Sequence, residues 1–565
     1  MKIFIVFFSI CLSISWLLPN HYSPWVAAYQ DFAVFSAGII LLIGTSIFQK
    51  ENALPKFTIF VFLIIFIPIA QYFLGIIYFS GDALINSLYL FSFFISIFIA
   101  YNLSNQSYKK TFLLLLASSI IIASLLSSYI ALYQWTLQNS TIWIADLPPG
   151  GRPFANFGQP NNLATLISMG LAATLFFYEK HYLNRSSCTL IALTLLFTLA
   201  LTQSRSAWLM SFAFLVFWLW KSKTCKTRLR ALPAALWVVI YALWVGALPY
   251  IAKILDLPAS SAAERAQALE RWDLYTQFYH AILQGPLWGY GWGQVSVAQV
   301  LITPDYPVSL FTEYTHNILL DLMIWNGPIL GFLIILFTTL WLMKLAWNVR
   351  TPEGVFSILA AGFILTHSML EFPHAYAFFL IPLGLLLGIA QSEAPTKAWN
   401  IPNWSIKLIG FFSIIIIIII WKEYRVLEED YRLMRFETAR IGDLKADQPA
   451  PDVLLLTQLQ ALTRHARTPA KENMSFIELE ELSILSKRFA NVGSVYRYAF
   501  ALILNQRYDE AYKQLSILNS LHGNKWLIEA ISELRMLEKN NNLEFENLIY
   551  NLESLALNNN STREP

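Results

Sequence analysis

The chain has 565 residues, of which 56% are hydrophobic and only 13% are charged. Soluble domains are about a quarter charged, so this composition excludes a soluble globule and indicates apolar segments that cross a bilayer. The formal net charge of +3 is too small to indicate a nucleic-acid partner. The three cysteines, Cys11, Cys188 and Cys225, suffice for neither a disulfide framework nor a metal site, and we predict no cofactor.

Apolar segments recur along the first three quarters of the chain. A helix needs about 20 apolar residues to cross the hydrocarbon core, and about thirteen segments approach that length. We therefore predict an all-α polytopic membrane protein with roughly 11 to 14 spans, the first of them an anchor rather than a cleaved signal peptide. Asn326-Gly327-Pro328 is expected to bend the longest span or to divide it into a periplasmic helix and a span. The predicted spans are 3–19, 33–48, 57–79, 84–103, 111–131, 163–178, 187–203, 206–220, 231–252, 317–343, 354–370, 376–391 and 405–421.

The basic residues indicate which ends of these spans face the cytoplasm. With Met1 inside, sixteen Lys and Arg residues before position 422 lie on the inner side and five on the outer side. This asymmetry obeys the positive-inside rule through every alternation. The positive-inside rule therefore predicts that the segment from Lys422 onward lies outside, on the same side as the five outer Lys and Arg residues.

The composition changes at Lys422 to ordinary soluble sequence with helical periodicity. We predict a transmembrane domain over 1–421 and a helical domain over 422–565, with a tail from Asn540 that frays. The second domain is either a tetratricopeptide-like hairpin or an ordinary helical bundle. The small and aromatic positions that suggest the hairpin are Ala499, Tyr508, Ala511 and Leu515.

Residues 132–162 form the first of two long outside loops, and long loops are usually functional. The loop contains the run Arg152-Pro153-Phe154-Ala155-Asn156-Phe157-Gly158-Gln159-Pro160-Asn161-Asn162. This density of Gly, Pro and amide side chains is typical of groups shaped around a polar ligand. The simpler alternative to ligand binding is a structural role for one of these amide side chains, with Asn161 or Asn162 as the N-cap of the next span.

The second long loop, 253–316, contains Arg265, Arg271 and Trp272 and ends at His316, where the next span begins. An imidazole has an ordinary pKa of about 6.5, so a histidine here could accept a proton from a hydroxyl group as a general base. The alternative for an isolated interfacial histidine is a hydrogen-bonded packing residue.

Arg205 lies in Ser204-Arg205-Ser206 at a tight outside connection between two spans. An ionisable residue at that depth is a functional candidate, and the alternative is snorkelling of the side chain to the lipid headgroups. If Arg205, Arg265 and Arg271 converge, they would form a clamp for pyrophosphate, because the planar guanidinium matches phosphate oxygens. The sequence has no Walker-type phosphate loop, which disfavours a nucleotide-driven pump.

A short outside turn carries several polar residues in ten positions, His367 to Tyr376. Within it, Glu371 could orient a histidine or bind an acceptor hydroxyl. Metal binding would be possible chemically, but the spacing matches no dedicated motif, and we predict no metal.

Together these segments resemble the superfamily of O-antigen ligases, O-antigen polymerases and PglL-type protein or pilin O-oligosaccharyltransferases. The resemblance covers nearly the whole chain. The Gln-Pro-Asn-Asn run and the soluble C-terminal domain are more similar to the protein-modifying branch. The motifs that carry the resemblance are Arg152 to Asn162, Ser204-Arg205-Ser206, Arg271 with Gly285-Pro286 and Gly289-Tyr290-Gly291-Trp292-Gly293, Thr315-His316-Asn317, and Glu371-Phe372-Pro373.

The resemblance implies transfer of an oligosaccharide from undecaprenyl pyrophosphate to Ser or Thr of periplasmic or pilin proteins, at the bacterial inner membrane and without nucleotide or metal. It implies His316 as the key polar residue with Gln159 and Tyr376 assisting. It also implies that Arg205 and Arg271 lie at the pyrophosphate. Glu371 completes the predicted catalytic group, Arg265 is a further donor-binding candidate, and Asn161, Asn317 and Arg152 support the site.

Two other functions remain open from the sequence. An O-antigen ligase or polymerase would use the same residues with a sugar acceptor. A transporter of lipid-linked sugars is less favoured, because polar residues gather at one membrane face rather than along the midplane. For the protein-modifying function, we expect the C-terminal domain to help position the acceptor protein, and its alternative role is a stabilising cap.

Overall fold

A computed structural model describes residues 1–49, 51–138, 141–258, 263–438, 450–541 and 545–561. In these parts the chain is almost entirely helical, with one two-stranded antiparallel sheet formed by β1 (Asn52–Pro55) and β2 (Ala398–Ile401). Eight segments are long and apolar enough to cross a membrane. They are α2 (Ala28–Phe48), the broken helix Lys56–Phe73 with α3 (Ile59–Ile64) and α4 (Ile67–Phe73), α5 (Ser80–Ser104), α6 (Lys109–Trp135), α7 (Pro160–Glu179), α10 (Ala231–Ile254), α13 (Ile318–Asn348) and α16 (Asn403–Thr438).

Five further helices of the described residues occupy the remaining predicted spans and confirm the all-α polytopic fold. These are α1 (Lys2–Leu17), α8 (Arg185–Leu201), α9 (Arg205–Thr224), α14 (Pro352–Ser368) and α15 (Ala377–Glu393). Their apolar side chains form one continuous buried cluster with those of α2, α5, α6 and α7. Close packing of these apolar side chains therefore holds the spans to one another.

The predicted bend in α13 is present. It is stabilised by the glycine motif Gly289 to Gly293, which follows α11 (Ala263–Gln284). Gly327 has φ 74° and ψ 171°, and a Cβ atom there would lie 2.0 Å from the Leu287 carbonyl oxygen, so only glycine fits. The kink frees the Ile324 and Trp325 carbonyls, which accept hydrogen bonds from the Tyr290 and Gly291 N–H groups. The loop between α11 and α12 (Val295–Ile302) is thereby fixed to the membrane helices.

Three boundaries differ from the sequence predictions. Residues 253–316, which were predicted as a loop, contain two helices, α11 and α12, since a segment that connects two spans can itself be helical. The domain boundary predicted at 422 lies inside α16, which continues as a helix beyond the apolar stretch. The tail predicted to fray from Asn540 instead contains α22 (Glu546–Ser561), whose Leu548, Ile549 and Leu552 are buried. The packing of these apolar residues stabilises a helix that the polar composition obscured.

The C-terminal helices are α17 (Thr457–Arg467), α18 (Phe476–Arg488), α19 (Val492–Leu504), α20 (Tyr508–His522), α21 (Asn524–Asn541) and α22. The last five of them, α18 to α22, form a second buried cluster. Consecutive helices pack against each other, and α20 also contacts α22, which is compatible with stacked hairpins and with a bundle. Val300 of α12 is part of this cluster and Phe311 packs against it. The C-terminal helices are therefore seated on the segment that leads to His316.

Candidate active site

Glu371 is the centre of a polar cluster formed where several membrane helices end on one side of the molecule. It lies in the turn between α14 and α15, and its side chain is only 2% exposed. One carboxylate oxygen, Oε2, lies 2.7 Å from His316 Nδ1. The other, Oε1, accepts hydrogen bonds from Arg271 and, at 3.1 Å, from the Asn161 amide. Four of the residues predicted from sequence are thus brought together.

The surroundings of Glu371 keep it ionised. Burial raises the pKa of this carboxyl, but the hydrogen bond from His316 and the charge of Arg271 oppose burial and hold the pKa at about 2. A buried carboxylate with three donors satisfies the requirement that buried charges be paired. Glu371 therefore remains an acceptor throughout the physiological pH range.

His316 is held in an orientation that suits a general base. Because Glu371 is an ionised acceptor, His316 Nδ1 donates to it, and the lone pair of the neutral imidazole lies on Nε2. Nε2 is 3.4 Å from Thr312 Oγ1, whose proton is already used in a 2.6 Å hydrogen bond to the Tyr314 carbonyl. The imidazole is 18% exposed, so Nε2 remains open to an incoming hydroxyl.

The backbone at His316 is also unusual, with φ at +58°, a left-handed conformation that non-glycine residues adopt infrequently. The flanking contacts account for it: the His316 carbonyl accepts a bond from the Tyr275 hydroxyl at 3.3 Å, and Asn317 caps α13 through its own side chain. Asn317 also donates to the Met369 carbonyl at 3.1 Å. The start of α13 and the Glu371 turn are thus fixed relative to each other.

Arg271 of α11 contacts the same turn twice, through Glu371 and through a 3.5 Å contact with the Leu370 carbonyl. Its side chain is 27% exposed, and other N–H groups of the guanidinium remain for a phosphate oxygen. The side chain of Arg265 lies outside the part of the chain that the structure describes.

The other outer arginines lie beside Asn161. The Ser204 hydroxyl donates a 2.6 Å hydrogen bond to the side-chain amide oxygen Oδ1 of Asn161, and Arg205, the next residue, is exposed at the start of α9. Arg152 contacts the Gln203 carbonyl at 3.4 Å. The run 152–162 and the Ser-Arg-Ser connection therefore meet at one place, next to the Glu371 cluster.

The expectation that Asn161 or Asn162 caps the span was wrong. The helix begins at Pro160, and the N-cap is Gln159. Proline fits the first position of a helix because its missing N–H would be unbonded there anyway. The helix therefore starts earlier than the amides, and the Asn161 side chain is available to Glu371.

Gln159 and Tyr376 are more loosely connected to the cluster. Neither side chain makes a hydrogen bond to a described residue. The Tyr376 ring stacks on Phe378 at 5.1 Å and lies 6.0 Å from Phe372, whose ring is in turn 5.3 Å from His316. Phe372 thus lies next to both the tyrosine and the histidine.

Several supporting residues escaped the sequence reasoning. Buried Asp31 of α2 accepts a bond from the Ala377 N–H at 2.8 Å and from the Tyr89 hydroxyl at 2.6 Å, which fixes the start of α15. Buried Asp321 accepts a 2.8 Å bond from the Thr315 N–H, and its other oxygen lies 3.3 Å from His374 without hydrogen-bond geometry. A carboxylate within an apolar run was the signal that could have revealed both.

Among the residues that the structure describes, no three His, Cys, Asp or Glu side chains gather as metal ligands. The site offers instead a base, an ionised carboxylate and nearby guanidinium groups at the ends of membrane helices. Such a site suits the transfer of a group from a lipid-linked phosphate to a hydroxyl, and places the protein in the class of polytopic membrane transferases.

Comparisons with known proteins agree. Residues 190–336 match the family described as O-Antigen ligase, residues 153–177 the family described as Protein glycosylation ligase, and residues 355–530 the family described as Virulence factor membrane-bound polymerase, C-terminal. A General O-oligosaccharyltransferase of Acinetobacter baylyi is 29% identical over 93% of each chain. A ComP-specific O-oligosaccharyltransferase of the same organism is 28% identical over 71% of this chain and 73% of its own length.

These matches support the resemblance of the chain to the O-antigen ligase superfamily and to its PglL-type branch of O-oligosaccharyltransferases. Most of the motifs that suggested this relation in the sequence meet around Glu371, and the glycine motif Gly289 to Gly293 instead contacts the kink of α13.

Proposed function

We propose that the protein transfers an oligosaccharide en bloc from undecaprenyl pyrophosphate to a Ser or Thr hydroxyl of a periplasmic protein, such as a pilin subunit. The observation that carries the proposal is the 2.7 Å contact between His316 Nδ1 and Glu371, which leaves Nε2 open as a base. The two O-oligosaccharyltransferase relatives support a protein acceptor.

In the proposed reaction, the acceptor oxygen forms a bond to the anomeric carbon as the bond from that carbon to the pyrophosphate oxygen breaks. The hydroxyl proton passes to His316 Nε2, and Glu371 stabilises the resulting imidazolium. Negative charge grows on the departing pyrophosphate, so preplaced guanidinium groups of Arg205 and Arg271 stabilise the transition state more than the ground state. A single displacement of this kind inverts the anomeric centre and needs neither nucleotide nor metal.

We propose two roles for Arg271. Its hydrogen bond to Glu371 supports a role in holding the carboxylate, and its exposed remainder faces the site where we place the pyrophosphate. Arg265, Gln159 and Tyr376 remain proposals that rest on the family resemblance. Asn161, Asn317 and Arg152 are proposed to hold the segments together.

An O-antigen ligase or polymerase function is the alternative, since a sugar hydroxyl would be deprotonated by the same base. Cells that lack the protein separate the two functions. We expect loss of glycan from periplasmic proteins with unchanged surface polysaccharide, and the opposite phenotype would favour the alternative.

The C-terminal helices are proposed to help position the acceptor protein, because a transferase must hold its acceptor while the hydroxyl reaches the base. Their packing on Val300 and Phe311 supports a second contribution, the support of the His316 segment. Deletion of residues 440–565 would remove both contributions together, so single substitutions are the better test.

The direct test of the mechanism is His316→Ala, measured with purified lipid-linked donor and a candidate acceptor protein. We expect transfer to fall by about 10²–10⁴-fold, the usual contribution of a general base, with membrane insertion and abundance unchanged. His280→Ala is the matched control: His280 is a half-buried histidine on α11 that stacks on Tyr306, away from Glu371. Near-normal transfer by His316→Ala would show that His316 is not the base.

A further inference from the structure

Two segments of the chain meet at the candidate active site, and an imidazole and a carboxylate join them twice. The base segment (residues 314–321) leads into α13, and the carboxylate turn (residues 371–376) connects α14 to α15. The proposed base comes from the first segment and its carboxylate partner from the second. A second pair runs in the reverse direction, since His374 Nε2 of the turn lies 3.3 Å from Asp321 Oδ2 of the base segment. The proposed reaction assigns no role to this second pair.

Asp321 links the backbone beside the base to the opposite turn. Its side chain is 0% exposed, and a buried carboxylate is costly unless its oxygens have partners. Oδ1 accepts a 2.8 Å hydrogen bond from the N–H group of Thr315, the residue before the base. Oδ2 faces His374, whose side chain is 12% exposed. The carboxylate therefore contacts both segments at once.

A series of aromatic contacts connects the two imidazoles. The ring centroids are 5.3 Å apart for His316 and Phe372, 4.7 Å for Phe372 and Tyr314, and 6.0 Å for Tyr314 and His374. Each of these contacts joins a ring of the base segment to a ring of the carboxylate turn. Because aromatic pairs favour particular relative orientations, a displacement of one ring disturbs the next. The position of His374 is thus coupled to that of His316.

The base requires such support because its backbone conformation is unfavourable. His316 has φ +58°, and a non-glycine residue keeps a left-handed conformation only where its surroundings hold it. The hydrogen bond from Thr315 to Asp321 fixes the residue before it. The residue after it, Asn317, caps α13 with its own side chain. Loss of the Asp321 carboxylate would therefore release the backbone on one side of the base.

We propose that Asp321 and His374 are positioning residues, which hold the His316 imidazole in the place relative to Glu371 that proton transfer requires. The inference rests on the function proposed above and adds two residues to it. Neither side chain touches the reacting atoms in this scheme. A misplacement of about 1 Å can lower a rate about 100-fold. Loss of the pair should therefore lower kcat and leave the KM of the lipid-linked donor unchanged.

Asp321→Leu and Asp321→Asn separate the hydrogen bond of this residue from its charge. Leucine removes the acceptor of the Thr315 N–H group, whereas asparagine retains an oxygen there and loses the charge that faces His374. Transfer is measured with purified donor and acceptor protein, per folded enzyme. We expect kcat to fall about 100-fold in Asp321→Leu and to stay within roughly threefold of the wild type in Asp321→Asn. The donor KM should be unchanged in both variants.

His374→Phe tests the other member of the pair. Phenylalanine retains a ring beside Tyr314, but it leaves the buried carboxylate of Asp321 without the imidazole that faces it, which favours movement of the carboxylate. We expect kcat to fall about tenfold. Adding Asp321→Asn should restore most of the lost activity, because an uncharged amide can stay in place without a cation. A double variant that is no more active than His374→Phe would contradict the pairing.

Asp430→Leu is the matched control for a general loss of stability. Asp430 is also a buried carboxylate, 8% exposed, and its ion pair with Arg467 at 2.8 Å joins α16 to α17 rather than to the base segment. Asp430→Leu should lower the thermal stability and leave kcat per folded enzyme unchanged. An equal loss of kcat in this control would overturn the inference. So would a normal kcat in Asp321→Leu, a raised donor KM at unchanged kcat, or equal losses in Asp321→Leu and Asp321→Asn.

Should Asp321→Leu fail to accumulate, His374→Phe decides the question, and a wild-type kcat in that variant overturns the inference. Failure of the proposed function has a different signature. In that case the wild type transfers no glycan to protein, or His316→Ala is as active as the wild type. If only the positioning role is wrong, His316→Ala remains impaired while His374→Phe retains the wild-type kcat.

Discussion

Arg488, the last residue of α18, forms a bidentate ion pair with Asp82 in the first turn of α5, with N–O distances of 2.7 and 2.8 Å. Burial works against the charge of Arg488, but Asp82 and Glu313 raise the pKa of its guanidinium above the usual range. The Arg488 carbonyl also accepts a 2.8 Å hydrogen bond from Ser296 of α12. This one residue therefore joins the C-terminal helices to a membrane helix, to α12 and to the segment that leads to His316.

We expect Arg488→Met or Asp82→Leu alone to destabilise the protein by about 3–5 kcal/mol, because each leaves an unpaired buried charge. The double substitution should recover most of that loss. Thermal unfolding in detergent measures the effect, and additive single losses would contradict the coupling.

The same variants distinguish the two roles of the C-terminal helices. If these helices mainly support His316, hydrolysis of the donor and transfer to protein will fall together in Arg488→Met. A selective fall in transfer would instead favour the proposed positioning of the acceptor.

The sequence allowed prediction of the spans and of the polar group around Glu371 because both have local signals. Apolar runs of the length of a bilayer predict helices, and polar residues at the ends of those runs are conspicuous. The polar pairs that join distant helices were not predictable. Asp82 and Arg488 are 406 residues apart, and Asp31 accepts a hydrogen bond from the N–H group of Ala377, which is 346 residues away. Only the packing of the helices brings such partners together, since no spacing in the sequence encodes their distance.

The Glu371 cluster should give the protein a defined acid sensitivity. The folded-state pKa of about 2 lies below the ordinary value of 4.5, so the stabilisation is present above about pH 4.5 and is lost as the pH falls toward 2. We expect the free energy of unfolding of the wild type to exceed that of Glu371→Gln by about 3 kcal/mol near neutrality. This difference should shrink as the pH falls from about 4.5 toward 2. Unfolding in detergent at a series of pH values measures it, with the exposed Asp273→Asn as control. A gap that does not depend on pH would show that Glu371 is not paired as a carboxylate.

The proposed orientation places the Glu371 site and the C-terminal helices in the periplasm. A reporter that is active only in the periplasm should therefore work when fused after Val426 and fail when fused after Lys226. Val426 follows the apolar part of α16, and Lys226 lies between α9 and α10 among basic residues. The reverse pattern would place the site in the cytoplasm and refute the periplasmic acceptor.

Arg205→Lys tests whether the arginine beside the Asn161 contact binds pyrophosphate through paired donors. Lysine keeps the charge but lacks the planar fork that matches two phosphate oxygens. We expect kcat/KM for the lipid-linked donor to fall about tenfold, equivalent to about 1.4 kcal/mol, while the thermal stability remains unchanged because Arg205 is exposed. Arg230→Lys is the matched control, since Arg230 is also an exposed arginine at the start of a helix, α10, but on the predicted cytoplasmic side. Equal activity of Arg205→Lys and the wild type would rule out the bidentate role, and an equal loss in Arg230→Lys would mean that the effect is not specific to the site. If kcat/KM falls in Arg205→Lys, falls further in Arg205→Ala and stays unchanged in Arg230→Lys, the explanation is that the Arg205 guanidinium binds the departing pyrophosphate.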